Sequence, residues 1–215
     1  MGTKYSSKIR KLPLNVGILI FDKVEVLDVA GPFEVFSVTL LHEKRCLREQ
    51  SPFKVILISE QANQVMGVGG MRFTPNVTIH NCPDLDVLMI PGGWGTRTEV
   101  KNDNLLRWIA HQASRARLTA SICTGSSLLG KAGLLDGVDA TTHWRAFDFL
   151  QESAPLATLR RDVRFTLKEP IFTSAGVSAG IDLALQIVSH FFGSKIGRAT
   201  ASQMEYPYPQ KNSRK

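Results

Sequence analysis

Apolar residues fall in short, nearly unbroken runs at residues 14–20, 53–59, 85–90 and 118–122. Such runs mark strands buried on both faces of a parallel sheet. Between them, apolar positions recur at helical spacing. The sets are Val29, Phe33, Phe36 and Leu40; then Leu105, Leu106, Ile109 and Ala113; then Leu128, Leu129 and Ala132 ahead of the Gly133 break; and Ile181, Ala184, Leu185, Val188 and Phe192. A short strand is predicted around Ala140, then a helical segment to Leu150. Two strands at 163–166 and 171–174 are joined by a Lys168-Glu-Pro turn, and a closing helix spans 195–203. Residues 63–74, with Gly67, Gly69 and Gly70, predict a β-hairpin. A phosphate-binding loop needs an apolar helix after its glycines, and none follows. Strands alternating with helices imply right-handed crossovers, hence an α/β fold: a three-layer α/β/α sandwich around a mainly parallel, flavodoxin-like sheet.

The chemistry of the chain gathers where predicted strands end. Thr119-Ala-Ser-Ile-Cys123-Thr-Gly-Ser-Ser127 joins a strand to a helix, with small residues two before the cysteine (Ser121) and two after it (Gly125). Such a sharp turn is the nucleophile-elbow pattern, which holds its central side chain in a strained, exposed position. The first turn of the following helix would favour a thiolate there. A plain core cysteine is the competing account. Asp28 falls just ahead of a helix whose first turn would hold Pro32, where a capping carboxylate is ordinary. Its neighbours Leu27, Val29 and Ala30 are apolar, which hints at a carboxyl held partly out of water. Pro91-Gly-Gly-Trp-Gly95 follows the third strand. It has no third glycine at the dinucleotide-binding spacing, so it reads as a turn whose bare backbone can approach a substrate. Asp28, Gly92 and Gly93, Cys123 and Gly176 all follow predicted strands, where open α/β sheets bind ligands.

Composition narrows the function classes. The apolar share of 43% and charged share of 21% belong to an ordinary globule of 215 residues. No apolar run reaches the roughly eighteen residues of a membrane span, and no secretory cleavage site is evident. The net charge of +7 sits in the two ends, at Lys4, Lys8, Arg10 and Lys11, and at Lys211, Arg214 and Lys215. Removing those seven from 26 basic residues leaves 19, equal to the 19 acidic ones. Nucleic acid is therefore not an expected partner, and residues 1–12 and 206–215 are expected to be disordered tails around a domain at 13–205. The Arg160/Arg161/Arg164 cluster reads as a solvated strand edge. Three cysteines (46, 82 and 123) without CxxC spacing, and five scattered histidines, suggest neither disulfides nor a metal site; a reducing, cytoplasmic setting fits.

With these residues in hand, the chain resembles the DJ-1/PfpI superfamily, which has the class I glutamine amidotransferase-like fold. The carriers are residues 27–36 (Leu-Asp-Val-Ala-Gly-Pro-Phe-Glu-Val-Phe), Ile90-Pro-Gly-Gly93, Ile122-Cys-Thr-Gly-Ser126, Ala140-Thr-Thr-His-Trp144 and residues 173–182. The Leu-Asp-x-x-Gly-Pro segment and the Cys-Thr-Gly turn look most like the isonitrile hydratase branch. The resemblance implies Cys123 as nucleophile and Asp28 as its proton-handling partner. The amides of Gly93 and Thr124 match those that stabilise negative charge, and His143 matches a supporting or acid–base histidine. Gly92, Trp94, Thr142 and Gly176 are candidate pocket residues. No cofactor is implied. The expected activity is hydration of a small isonitrile to a formamide through a thioimidate. A cofactor-independent glyoxalase or deglycase activity on 2-oxoaldehydes, or a cysteine redox sensor, are the alternatives. The glyoxalase branch typically has glutamate where this chain has Asp28. Regulators of the superfamily carry a helix-turn-helix module beyond this domain, and the chain ends too soon after its last predicted helix to hold one. Relatives usually pair, so a homodimer is expected.

Overall fold

Seven strands build the central sheet of the computed structural model, which describes residues 12–41, 50–208 and 212–214. In chain order the elements are β1 (Leu14–Leu19), α1 (Val26–Val38), β2 (Phe53–Ser59), β3 (Val65–Met66), β4 (Arg72–Phe73), β5 (Val77–Thr78) and β6 (Val87–Ile90). They continue with α2 (Thr96–Glu99), α3 (Asp103–Arg115), β7 (Leu118–Ile122), α4 (Gly125–Lys131), β8 (Asp139–Ala140), α5 (Phe147–Ser153) and β9 (Thr158–Leu159). The last are β10 (Phe165–Lys168), β11 (Ile171–Ser174), α6 (Ala179–Phe192) and α7 (Ser194–Gln203).

The sheet runs β10-β11-β7-β6-β1-β2-β5, parallel throughout except for β10. The apolar runs explain its centre. Val16 of β1 lies between Val55 and Val87 in register, and every residue of β6 and β7 is buried. A side chain at Gly17 would collide with Leu85 and Ile58, so the bare position leaves room for the side chains of the two neighbouring strand segments. Helices α1, α6 and α7 pack together, as do α2, α3, α4 and α5, giving the expected three-layer sandwich. The hairpin predicted at 63–74 is β3 paired with β4.

Chain order reverses between β1 and β6, since β1 leads outward to β2 while β6 leads the other way to β7. This is the switch point of a doubly wound sheet, where loops diverge and leave a crevice at the strand carboxyl ends. The loops after β1, β6, β7 and β11 meet there.

Two expectations need correction. Helix α1 begins at Val26, so Asp28 stands inside its first turn and Pro32 lies in the helix interior. A proline at 32 removes only the amide that would bond the Asp28 carbonyl, and the buried face of Val29, Val35 and Phe36 outweighs that loss. The C-terminal segment is also not a loose tail where it is described. Asn212 exchanges hydrogen bonds with the backbone N–H and C=O of Phe165 on β10, at 2.9 and 2.8 Å. Arg214 donates to the Val163 carbonyl at 2.9 Å, to Thr141 Oγ1 at 2.8 Å, and to the Thr142 carbonyl. Most of the N-terminal tail and Cys46 lie outside the described residues. No helix among those residues is long and apolar enough to cross a membrane.

Candidate active site

Cys123 closes β7 with φ at +56°, in the left-handed region that costs a non-glycine residue strain. The surroundings hold it there. Its N–H reaches the carbonyls of Ser174 and Ala175 at 3.1 and 3.3 Å. Its own carbonyl accepts the hydroxyls of Thr142 at 2.8 Å and Ser126 at 3.0 Å. Small neighbours let the turn pass. A side chain on Gly125 would strike the Ile90 and Pro91 carbonyls, and one on Gly92 would strike the Cys123 Cβ and the Thr124 amide.

Asp28 comes to the same point from α1. It is 0% exposed, and its Oδ2 accepts the Gly92 N–H at 2.9 Å, joining α1 to the loop after β6 across the switch point. Oδ1 has no partner at ordinary hydrogen-bond geometry, and no cation pairs with the group among the described residues. Burial drives the Asp28 pKa from 3.8 up to about 8, and the nearby Glu25 charge adds to this. The Gly92 amide and the adjacent Cys123 thiol pull it back only in part.

Cys123 departs from expectation in two ways. It is 6% exposed, on the floor of a crevice, where a projecting side chain had been expected. Its pKa is also raised, first by burial and then by Asp28, so the thiol keeps its proton. Hydrogen bonds from the backbone and side chain of Thr124 favour the thiolate, but removal from water beside a carboxyl wins. Asp28 and Cys123 thus form a coupled pair that resists ionisation.

Above the thiol is a cavity of about 200 Å³, lined by Glu25, Gly93, Trp94, Arg97, Cys123, Thr124, His143, Arg145, Ala146 and Val177. Trp94 stands at its rim, 64% exposed, with the Arg97 guanidinium 4.4 Å from its ring centre. Trp144 is outside this lining and stacks under Arg145 at 4.4 Å. The Gly93 amide donates to Thr124 Oγ1 at 3.0 Å, and Thr96 donates to the same oxygen at 3.1 Å. The two residues expected to offer amides are therefore tied to each other. Thr142 is fully buried behind the cysteine carbonyl. A side chain on Gly176 would collide with the His143 ring and crowd the Cys123 sulfur, so that glycine lets the imidazole approach the thiol.

His143 Nδ1 accepts the Arg145 N–H at 3.3 Å, which leaves the proton of the neutral ring on Nε2. Burial, Arg214 and Arg145 lower its pKa, so it is neutral at physiological pH. Among the described residues, no three His, Cys, Asp or Glu side chains gather as metal ligands. Sequence inspection did not single out Glu25, Arg97, Arg145 or Thr96. Arg97 and Thr96 follow the Gly92-Gly93 turn closely and Arg145 stands two past His143, so proximity to those motifs was the available signal.

The DJ-1/PfpI family model matches residues 15–190. The chain belongs to the DJ-1/PfpI family. Isonitrile hydratase of Pseudomonas putida is 34% identical over 91% of this chain and 79% of that protein. The transcriptional regulator GbdR of Pseudomonas aeruginosa is 27% identical over 90% of the chain, which spans only 51% of the regulator's length. Among solved structures, a ThiJ/PfpI family protein from Pseudomonas syringae superposes with a TM-score of 0.79 at 27% identity, over 99% of this chain and 85% of that one. The matched relatives include both an enzyme and transcriptional regulators, so family membership alone does not fix an activity.

Proposed function

We propose that the chain is a cysteine-dependent hydratase that converts small isonitriles to N-substituted formamides. The observation that carries this is Asp28: a fully buried carboxyl, without a cation among the described residues, beside a cysteine strained at the carboxyl end of β7. A carboxyl with a pKa near neutrality can both give and take a proton within one turnover. The likeness to a curated isonitrile hydratase supports the same substrate class.

In the first half-reaction Asp28 gives its proton to the terminal isonitrile carbon. The Cys123 sulfur bonds to that carbon, and the thiol proton passes to the Asp28 carboxylate, leaving a neutral thioimidate. In the second, Asp28 protonates the imine nitrogen and accepts a proton from the attacking water. Collapse of the adduct breaks the carbon–sulfur bond, releases the formamide and returns the thiol. Because the thiol starts protonated, the nucleophile forms only as its proton leaves. An unreacted Cys123 therefore reacts only slowly with stray electrophiles and peroxide, which speaks against the redox-sensor alternative. We assign the Thr124 amide to charge on sulfur, and His143 to supporting the loop and the pocket wall. Leu27 and Phe33, each more than one-third exposed on α1, are where we infer a homodimer contact. Light scattering that returns a monomer would remove that inference.

The test is turnover of an aryl isonitrile beside that of methylglyoxal, with Cys123→Ala as the blank. Formamide formation by the native chain alone supports the hydratase. Loss of methylglyoxal without formamide moves the assignment to a glyoxalase.

A further inference from the structure

Arg97 and Arg145 are among the residues that line the cavity over Cys123, and neither has an ion-pair partner among the described residues. Arg97 rises from α2, stacked on Trp94 at 4.4 Å and facing the Phe149 ring at 5.2 Å. Arg145 rises from the loop before α5, stacked on Trp144 at 4.4 Å. Aromatic faces fix the planes of both groups and leave their N–H edges unspent, which suits a planar two-oxygen anion. Glu25 is the sole acidic residue in the lining, and its charge bears on Asp28 and Cys123. Trp94, Ala146, Val177 and the His143 edge supply an apolar wall beside these charges. A wholly hydrocarbon substrate would leave both guanidiniums idle.

We propose that the pocket takes substrates carrying a carboxylate, held by Arg97 and Arg145 with the electrophilic carbon turned toward Cys123. Resting on the hydratase assignment, this narrows the substrate class to small isocyano acids. A cavity of about 200 Å³ suits a molecule of that size.

Isocyanoacetate and its ethyl ester share one electrophile and differ in charge, so their kcat/KM ratio isolates the anion. The acid should be preferred by roughly tenfold, mainly through KM. The preference should fall toward unity in Arg97→Gln and Arg145→Gln. Equal use of acid and ester, or a ratio unmoved by both changes, overturns the proposal.

A second measurement does not depend on turnover. Cys123 is alkylated with iodoacetate and with iodoacetamide, and Cys82, a free thiol outside the cavity lining, serves as internal reference by peptide mass analysis. The acid-to-amide rate ratio at Cys123 should exceed that at Cys82 several-fold and drop in the double variant Arg97→Gln/Arg145→Gln. A ratio no higher than at Cys82, or no labelling of Cys123 by either reagent, overturns the anion site. If this ratio holds while neither isonitrile is hydrated, the hydratase assignment fails and the anion site stands.

Discussion

Two carboxylates are buried in the first turns of neighbouring helices, and they have opposite surroundings. Asp182, on α6, is 3% exposed and fully engaged. Arg164 reaches its Oδ2 at 2.5 and 2.6 Å, and the Tyr206 hydroxyl donates to Oδ1 at 2.9 Å. Asp28, on α1, is equally buried and has one backbone amide. Helices α1 and α6 pack on each other, so the contrast does not come from layer or depth. It comes from partners. A buried charge with a cation fastens the fold together, joining α6, the β10 edge and the C-terminal segment. A buried carboxyl without one remains protonated near neutrality and keeps a proton for chemistry.

Substitution separates the two most sharply. Asp28→Asn is isosteric and keeps an acceptor for the Gly92 amide, yet it cannot release and regain a proton. Formamide turnover should fall by about 10³-fold or more, with thermal stability unchanged or slightly higher. Intact turnover in that variant would end the role given to Asp28. Asp182→Asn should do the reverse. With Arg164 left half-buried and uncompensated, stability in a urea titration should drop by about 2 kcal/mol, and turnover per folded molecule should persist.

Acidity gives the next contrast. The folded state holds the Asp28 proton up to about pH 8, whereas the unfolded chain releases it near 3.8. Between those values the native state binds the extra proton, so this contribution is full below pH 4 and is lost as pH rises through 8. The slope should be at most about 1.4 kcal/mol per pH unit, and less because Cys123 shares the site. Asp28→Asn should flatten that part of the stability–pH curve, whereas a slope preserved in the variant would assign it to other groups. The smallest effect is expected at Tyr206→Phe. It removes one of the hydrogen bonds to Asp182 and should cost about 1 kcal/mol. The hydroxyl it deletes has its pKa pushed up to about 12, first by burial and then by Asp182.

The four central strands were legible because each is a compact apolar run, and β2 and β7 have the predicted bounds. The convergence of Asp28, Gly92 and Cys123 was legible from topology, since all three follow strand ends. What escaped depends on tertiary partners. Strands β5 and β9 are two residues each and carry no period to detect. The placement of Asp28 just outside its helix relied on a rule for proline in first turns, which packing overrode. The thiolate expected from a helix start gave way to burial, a quantity that residue order does not report. Likewise, Asp28 and Asp182 each precede apolar helical residues, and nothing nearby in sequence says which will meet an arginine from eighteen positions away.

The side chain of Asn212 stands where another strand would lie, satisfying both outward backbone groups of Phe165. At the opposite margin β5 offers only two residues. Neither border of the sheet therefore presents a long row of free amides on which a foreign peptide could lay itself down. The chain is thus guarded against edge-to-edge polymerisation by a single amide at one side and by brevity at the other.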